Sequence, residues 1–292
     1  METLFDTSLS LPLIQKGKVR DIYDIDDKRM LIVTTDRLSA FDVVFNEAIN
    51  QKGAVLTNVA NFWFDKTKHI IPNHLTHEPL ESVLNSQEAA QVEGRAIIVK
   101  KLRPLAVEAI VRGYIIGSGW KDYQQTGAVC GITLPDDLEL AEKLPTTLYT
   151  PSSKAAVGEH DENISFADTI DLLGEDMANQ VKEASLKVYQ FAADYALARG
   201  IIIADTKFEF GLDENNQLTL MDEVLTPDSS RFWSKADYQV GTSPKSFDKQ
   251  IVRDYLETLD WDKTPPAPVL PKHIINKTAE QYLEVQRLLT QT

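Results

Sequence analysis

The sequence predicts a mixed fold, with a β-rich first hundred residues followed by a larger half that alternates helices and strands. Three observations predict it. Short apolar runs parted by turns crowd the first hundred positions, a long stripe of helical spacing follows Gly174, and an apolar strand beginning at Ile201 runs into a polar turn and folds back.

Val19 to Tyr23, Met30 to Thr34, Val43 to Phe45 and Ala96 to Val99 read as strands of a small antiparallel sheet. Among them Val55, Val59, Phe62 and Lys66 recur at helical spacing, which predicts a helix from Ala54 to His69. The run from Ala96 to Pro104 reads as a strand entering a rigid crossing, and the domain boundary is placed there, giving an N-terminal β-rich domain 1–103 and a larger domain 104–292. Ser165 and Asp168 have the spacing of a capping box, which starts a short helix. Met177, Val181, Ala184, Val188, Phe191, Tyr195 and Ala198 then form the apolar stripe of a long helix closed by Gly200. A stiff Thr264–Pro268 linker separates two amphipathic helices, Phe247 to Leu259 and Thr278 to Leu289. They are expected to pack on the second domain and to carry no chemistry.

At 292 residues the chain can bury one large core or two modest ones, the size of a one- or two-domain enzyme. A net charge of −14 disfavours broad binding to nucleic acid or anionic membrane, so any anionic ligand must meet local cations. One cysteine, Cys130, cannot form an internal disulfide, and the first residues lack the basic head of a secretory signal. No apolar run approaches the roughly 18 residues of a membrane span, and a cytoplasmic protein is expected.

The segment from Ile201 to Trp233 carries the strongest chemical signal. Strand periodicity puts Asp205, Lys207 and Glu209 on one face and Thr206, Phe208 and Phe210 on the other. Asp213-Glu214-Asn215-Asn216-Gln217 is the turn, and asparagine tolerates the positive φ that tight turns need. Centred on Asn215-Asn216, the register sets Asp213 opposite Leu218, Gly211 opposite Leu220 and Glu209 opposite Asp222. Opposed side chains stand roughly 4.5–5.5 Å apart, and two carboxylates so placed call for a cation between them. Hard oxygen ligands without Cys or His suit magnesium held partly by a nucleotide's phosphates. A solvated hairpin whose charges face water is the alternative.

Four other segments are candidates. Lys16, Lys18 and Arg20, with Gly17 between, precede a hairpin and offer a phosphate grip or a solvated basic turn. Thr35 to Asp42, with Ser39 inside it, is a substrate loop or a capped turn. Arg112 lies among apolar residues before the Gly117-Ser118-Gly119 turn, where it either pairs with Glu108 or offers its fork to a phosphate or carboxylate beside Ser118. Thr150 to Asn163, with Lys154 and His160, is a loop that closes over a substrate or a surface loop.

Taken in order, KGKVRD, TTDRLSAFD, KGAVLTN, EAIVRGYIIGSGW, the SSKA and EHDENIS loop, ADTKFEFG and DEVLTPDSSRFW closely resemble the SAICAR synthetase family from about Lys16 to Trp233. Asn50-Gln51 is less proline-rich than the family's usual turn, and Gly241 to Lys245 is slightly extended. The resemblance implies an α+β fold, with an N-terminal antiparallel sheet similar to a kinase small lobe clamping ATP against a larger α/β half with C-terminal helices. It implies ligation of the carboxylate of carboxyaminoimidazole ribotide (CAIR) to the amine of L-aspartate, with ATP split to ADP and phosphate through an acyl phosphate. By the same resemblance Lys16, Gly17, Lys18 and Arg20 hold nucleotide phosphates, while Lys100, Lys101 and Leu102 form the hinge against adenine. Glu209 and Asp222 bind Mg²⁺, Lys207 stabilises the transferring phosphate, and Asp205 orients substrate or accepts the amine's proton. Arg112, Ser118 and Arg231 hold the ribotide phosphate or carboxylate, Lys154 binds substrate, Asp228 binds the ribose, and Ser39 and Asp42 line the substrate side. A small-molecule kinase and a non-catalytic nucleotide-binding module are the rival readings. Neither a monomer nor a homo-oligomer is singled out.

Overall fold

The computed structural model describes residues 2–154, 162–247 and 249–291. In chain order, β1 (Leu13–Lys16), β2 (Arg20–Asp24), β3 (Arg29–Thr34), β4 (Arg37–Ala40) and β5 (Val43–Ala48) precede α1 (Lys52–Thr67), α2 (Ser86–Val92) and β6 (Ala96–Lys100). Next come β7 (Arg103–Pro104), β8 (Val107–Tyr114), α3 (Gly117–Thr126), β9 (Ala128–Val129), β10 (Ile132–Thr133), β11 (Lys143–Tyr149) and β12 (Ser152–Ser153). Helices α4 (Phe166–Leu173) and α5 (Glu175–Leu197) lead into β13 (Ile201–Leu212), β14 (Leu218–Met221), β15 (Ser230–Ser234), α6 (Gln250–Glu257) and α7 (Lys272–Thr290).

The fold is α+β. A four-stranded sheet runs β1-β2-β3-β6, and a seven-stranded sheet runs β11-β8-β13-β14 with β12 on β8 and with β7 and β15 on β13. All of these strand pairings are antiparallel, in the larger half as well as the smaller. Strand β13 is the spine of the second sheet: its first half pairs with β8 and β15, its second half with β14 and β7.

The expected periodicities hold where one face is apolar. Phe208 and Phe210 enter the main core with Val181, Ala184 and Val188 of α5, and the Ser165–Asp168 capping box opens α4. Helix α1 begins at Lys52, two residues earlier than the spacing predicts. It lies so close to β3 that a Cβ on Gly53 would sit 2.2 Å from the Thr34 carbonyl oxygen, and its Val55, Val59 and Phe64 join the main core. The tail departs from expectation. Val252 and Leu256 of α6 pack on Leu38, Ala40 and Phe45 near the start of the chain, while Tyr282, Val285 and Leu289 of α7 reach the main core. An amphipathic pattern shows that a helix has an apolar face but not which surface it meets.

His74 is fully buried against Phe64, ring centroids 5.1 Å apart, and neither ring nitrogen has a hydrogen-bond partner among the described residues. Burial, assisted by Arg20 and Lys100, lowers its pKa to about 3. The folded protein therefore keeps the ring neutral while the unfolded chain takes up a proton below its ordinary value of 6.5, so stability falls with pH from there, by about 1.4 kcal/mol per unit. His74→Phe should remove that part of the slope. Urea midpoints of the two proteins that fall equally between pH 7 and 5 would exclude it.

Candidate active site

Alternation along β13 aims Asp205, Lys207 and Glu209 away from the core that takes Phe208 and Phe210. Neighbouring strands supply charges opposite in sign. Lys207 Nζ pairs with Glu108 of β8 and lies 3.1 Å from Glu209, whose other oxygen takes the Lys154 ammonium at 2.5 Å. Asp205 stands opposite Arg112 and Arg231 in the ladder, and both guanidinium groups donate to its Oδ2. Arg112 also donates to Thr150 at 3.0 Å and to Ser118 at 2.8 Å. Its partner is therefore Asp205. Glu108 and Arg112 share one face of β8 four residues apart, and each meets its opposite charge across the ladder on β13.

The Gly-Ser-Gly segment is the first turn of α3 and not a separate loop. Its glycines make room for the arginines: a Cβ on Gly117, where φ is +62°, would come within 2.5 Å of Arg231, and one on Gly119 within 3.2 Å of Arg112.

The predicted register is corrected by one residue. Glu209 faces Met221, Gly211 faces Thr219 and Leu212 faces Leu218, so Asp213 belongs to the loop. The Asp213 carboxylate accepts the N–H groups of Asn215 and Gln217 and draws a fifth residue into the turn, with Asn216 at φ +59°. Asp222 lies past the end of β14 at φ +66° and does not oppose Glu209. The two acids still share one electrostatic environment. Burial raises Asp222 to about 6, with Glu209 and Glu223 adding to the rise against the pull of Arg20, which pairs with both Asp222 and Glu223. Burial likewise raises Glu209, but Lys207 and Lys154 outweigh it and hold this carboxyl at about 2. Lys207, although burial opposes its charge, is raised by Glu209 and Glu108 and stays protonated.

Asp228 is buried with both oxygens engaged. Oδ2 takes Lys52 at 2.8 Å and Lys249 at 3.0 Å, and Oδ1 takes the Tyr282 hydroxyl at 2.6 Å. Burial alone would raise its pKa, but the two lysines hold it far below the usual carboxylate range.

The remaining predicted residues lie elsewhere. A strand that the sequence reading did not anticipate, β1, ends at Lys16 and makes Gly17 to Val19 the turn of a hairpin with β2; Lys16 pairs with Asp6 and Lys18 with Asp42, both lysine side chains more than half exposed. Arg37 fastens that turn by donating to the Gly17 and Lys18 carbonyls, and Asp36 accepts from Leu4, Gly53 and Arg95, so the first half of the Thr35–Asp42 segment is structural. Ser39 lies in β4 and Asp42 in the bend before β5. Lys100, Lys101 and Leu102 line a separate groove of about 1040 Å³ with Asp213 to Asn215. Leu212 of β13 borders it, and a Cβ on the neighbouring Gly211 would be 2.8 Å from Leu102. His160 lies outside the described residues.

Sequence reasoning missed Lys52, Glu223, Lys249, Arg253 and Tyr282 as site residues. Alternation along a β8 strand would have exposed Glu108 as a partner of Lys207. Nothing local marks the tail residues, because docking of the tail brings them in.

The SAICAR synthetase family model matches residues 13–268. A phosphoribosylaminoimidazole-succinocarboxamide synthase of Methylococcus capsulatus is 62% identical over 291 residues, covering 99% of this chain and 98% of that protein. The protein of the same name from Pasteurella multocida is 58% identical, covering 97% and 99%. The solved SAICAR synthase of Saccharomyces cerevisiae, complexed with SAICAR, superposes with a TM-score of 0.91 at 42% identity, with 99% of each chain covered. Likeness of this extent in both sequence and backbone leaves one assignment: the chain belongs to the SAICAR synthetase family.

Proposed function

We propose that the charged face of β13 is where the carboxylate of CAIR is activated by ATP and then joined to L-aspartate. As a family member the chain is an ATP-dependent carbon–nitrogen ligase of purine biosynthesis, converting CAIR and aspartate to SAICAR, ADP and phosphate. A carboxylate resists attack by an amine because oxide is a poor leaving group. Its oxygen therefore takes the γ-phosphoryl group, ADP leaves, the amine attacks the acyl carbon, and phosphate departs with the bonding electrons. Such a reaction asks the protein for positioning and charge neutralisation.

The observation that carries this reading is Lys207, held between Glu108 and Glu209 on the polar face of a strand whose other face is anchored in the core. Lys207 positions and neutralises the transferring phosphoryl group. Arg112, Ser118 and Arg231 hold the ribotide phosphate or carboxylate, and Asp205, which takes both arginines on one oxygen, orients the substrate through them. Lys16, Gly17, Lys18 and Arg20 serve the nucleotide's phosphates, and Lys100 to Leu102 its base, from a unit of residues 1–103 closing on residues 104–292. Lys154 meets the substrates from beside Glu209, Asp228 lies at the ribose, and Ser39 and Asp42 border the same side.

The acids fit a divalent cation. Glu209 and Glu223 place negative charge beside Asp222 and add to the rise that burial causes, against the pull of Arg20 and Lys207. Among the described residues no three acidic, histidine or cysteine side chains converge to hold an ion unaided, which suits one that takes its other ligands from phosphates and water. Mg²⁺, held by Glu209 and Asp222, would neutralise charge on the nucleotide's phosphates. A cytoplasmic location goes with this reading; among the described residues no helix is long and apolar enough to cross a membrane.

Measuring ADP release with CAIR and aspartate omitted in turn tests the assignment. ADP should form only with both present. Steady ADP formation without aspartate, with a phosphorylated ribotide accumulating, would mark a kinase instead.

A further inference from the structure

We propose that Arg37 is a positioning residue for the nucleotide: by holding the carbonyl groups of the turn 17–19 on its own side, it aims the N–H groups of Lys18 and Val19 outward as a backbone anion site for the triphosphate. The assignment rests on the reading above in which Lys16, Gly17, Lys18 and Arg20 serve the nucleotide's phosphates. Three successive carbonyls of the turn are engaged from within the protein. Arg37 Nη2 donates to Gly17 at 2.9 Å and Nε to Lys18 at 3.2 Å, while the N–H and hydroxyl of Thr35 donate to Val19 at 2.9 and 2.8 Å. In a trans peptide the N–H points opposite to the C=O of the same unit, so fixing the Gly17 and Lys18 carbonyls fixes the next two N–H groups on the far face. Among the described residues neither the Lys18 nor the Val19 N–H has an acceptor. Successive amides aligned in this way bind anions without help from a side chain. Val19 and Arg20 also border a small cavity shared with Asp222 and Glu223, which sets the turn beside the acids proposed for the cation.

Arg37 is itself buried and held from several sides. Asp21, buried as well, accepts from Nη2 at 2.7 Å and from Nη1 at 3.4 Å, and Nη1 also donates to the Phe5 carbonyl at 2.8 Å. The start of the chain is strapped over this guanidinium. Leu4 and Asp36 exchange two hydrogen bonds of 2.8 Å, and the Thr7 hydroxyl donates to Asp21 at 2.5 Å. An arginine needed only for its charge would be satisfied by Asp21. A planar fork spread over one carboxylate and three carbonyls instead fixes the orientation of the chain it touches, and a single ammonium cannot reach all four. Lys16 and Lys18 are more than half exposed on Asp6 and Asp42, so they add charge to the turn without setting the direction of its amides.

The test pairs Arg37→Lys, which keeps a charge for Asp21 but loses the fork, with the double variant Asp21→Asn/Arg37→Met, which removes both charges and leaves no buried ion unpaired. Steady-state kinetics are read with each substrate varied in turn, and with ADP and adenosine as inhibitors against ATP. Freeing the turn should raise the KM for ATP about ten-fold in Arg37→Lys and on the order of ten- to a hundred-fold in the double variant, and weaken ADP inhibition by the same factors. Inhibition by adenosine, which carries no phosphate, should stay unchanged, as should the KM for CAIR and for aspartate. A merely structural arginine would lower the folded fraction, and with it kcat, without moving one KM apart from the others. A wild-type KM for ATP in Arg37→Lys, an equal loss of ADP and adenosine inhibition, or a joint rise in the KM of all three substrates overturns the assignment. If the wild type binds ADP no more tightly than adenosine, the nucleotide reading of the turn falls first, before any variant is made.

Discussion

Glu209→Gln should lower turnover by about two to three orders of magnitude, the usual cost of deleting one preorganised charge at a phosphoryl-transfer centre. The substitution keeps size and removes charge, so its effect isolates electrostatics. In the native site Glu209 takes Lys154 and Lys207 on its two oxygens and, against the burial penalty, is held ionised to about pH 2. The neutral amide offers a cation nothing comparable and leaves Lys154 without its carboxylate. Lys207 retains Glu108, so the strand and its neighbours should keep their places. Nucleotide titrations at stepped magnesium concentrations should accordingly show weaker binding of the magnesium–ATP complex, with an unchanged thermal midpoint. Near-normal turnover at ordinary magnesium would remove Glu209 from the mechanism.

The second large effect concerns stability. Asp228→Asn strips the charge from a carboxylate that holds two lysines, one of them, Lys52, wholly buried and already pushed down by burial. Breaking a buried pair on one side typically costs 3–5 kcal/mol, here about 10 °C in Tm. Lys52→Met should cost less, because Lys249 and Tyr282 remain on Asp228. The pH dependence follows from the sign of the shift. A carboxyl whose folded pKa lies below its unfolded value of about 3.9 stabilises the protein above that value and loses the contribution as pH falls toward the folded pKa. The gap between wild type and Asp228→Asn should thus narrow below about pH 4. If Lys52→Met proved the more damaging change, Asp228 would not be the hub of this cluster.

The parts of the fold legible in the sequence were those with local causes. The β13 alternation, the α5 stripe and the α4 capping box each depend on residues a few positions apart. Reading Lys207 and Glu209 as neighbours on a polar face needed only the period of a strand. The register of the same hairpin was not legible, because it turns on whether Asp213 pairs or folds into the loop, and its side-chain bonds to two backbone N–H groups decide that. A one-residue slip was enough to part Glu209 from Asp222 in the ladder, and the left-handed bend at Asp222 lies outside any strand pattern. Lys249, Arg253 and Tyr282 were invisible for another reason: their places are set by where two amphipathic helices dock, and contacts across such distances leave no periodic trace.

The hydrogen bond from Tyr282 to Asp228 spans 54 positions and ties a late helix to the proposed site. On the proposed reading, substitutions along the hidden side of α7 should alter catalysis though they touch no substrate, and screens for activity should return hits in a segment that looks peripheral.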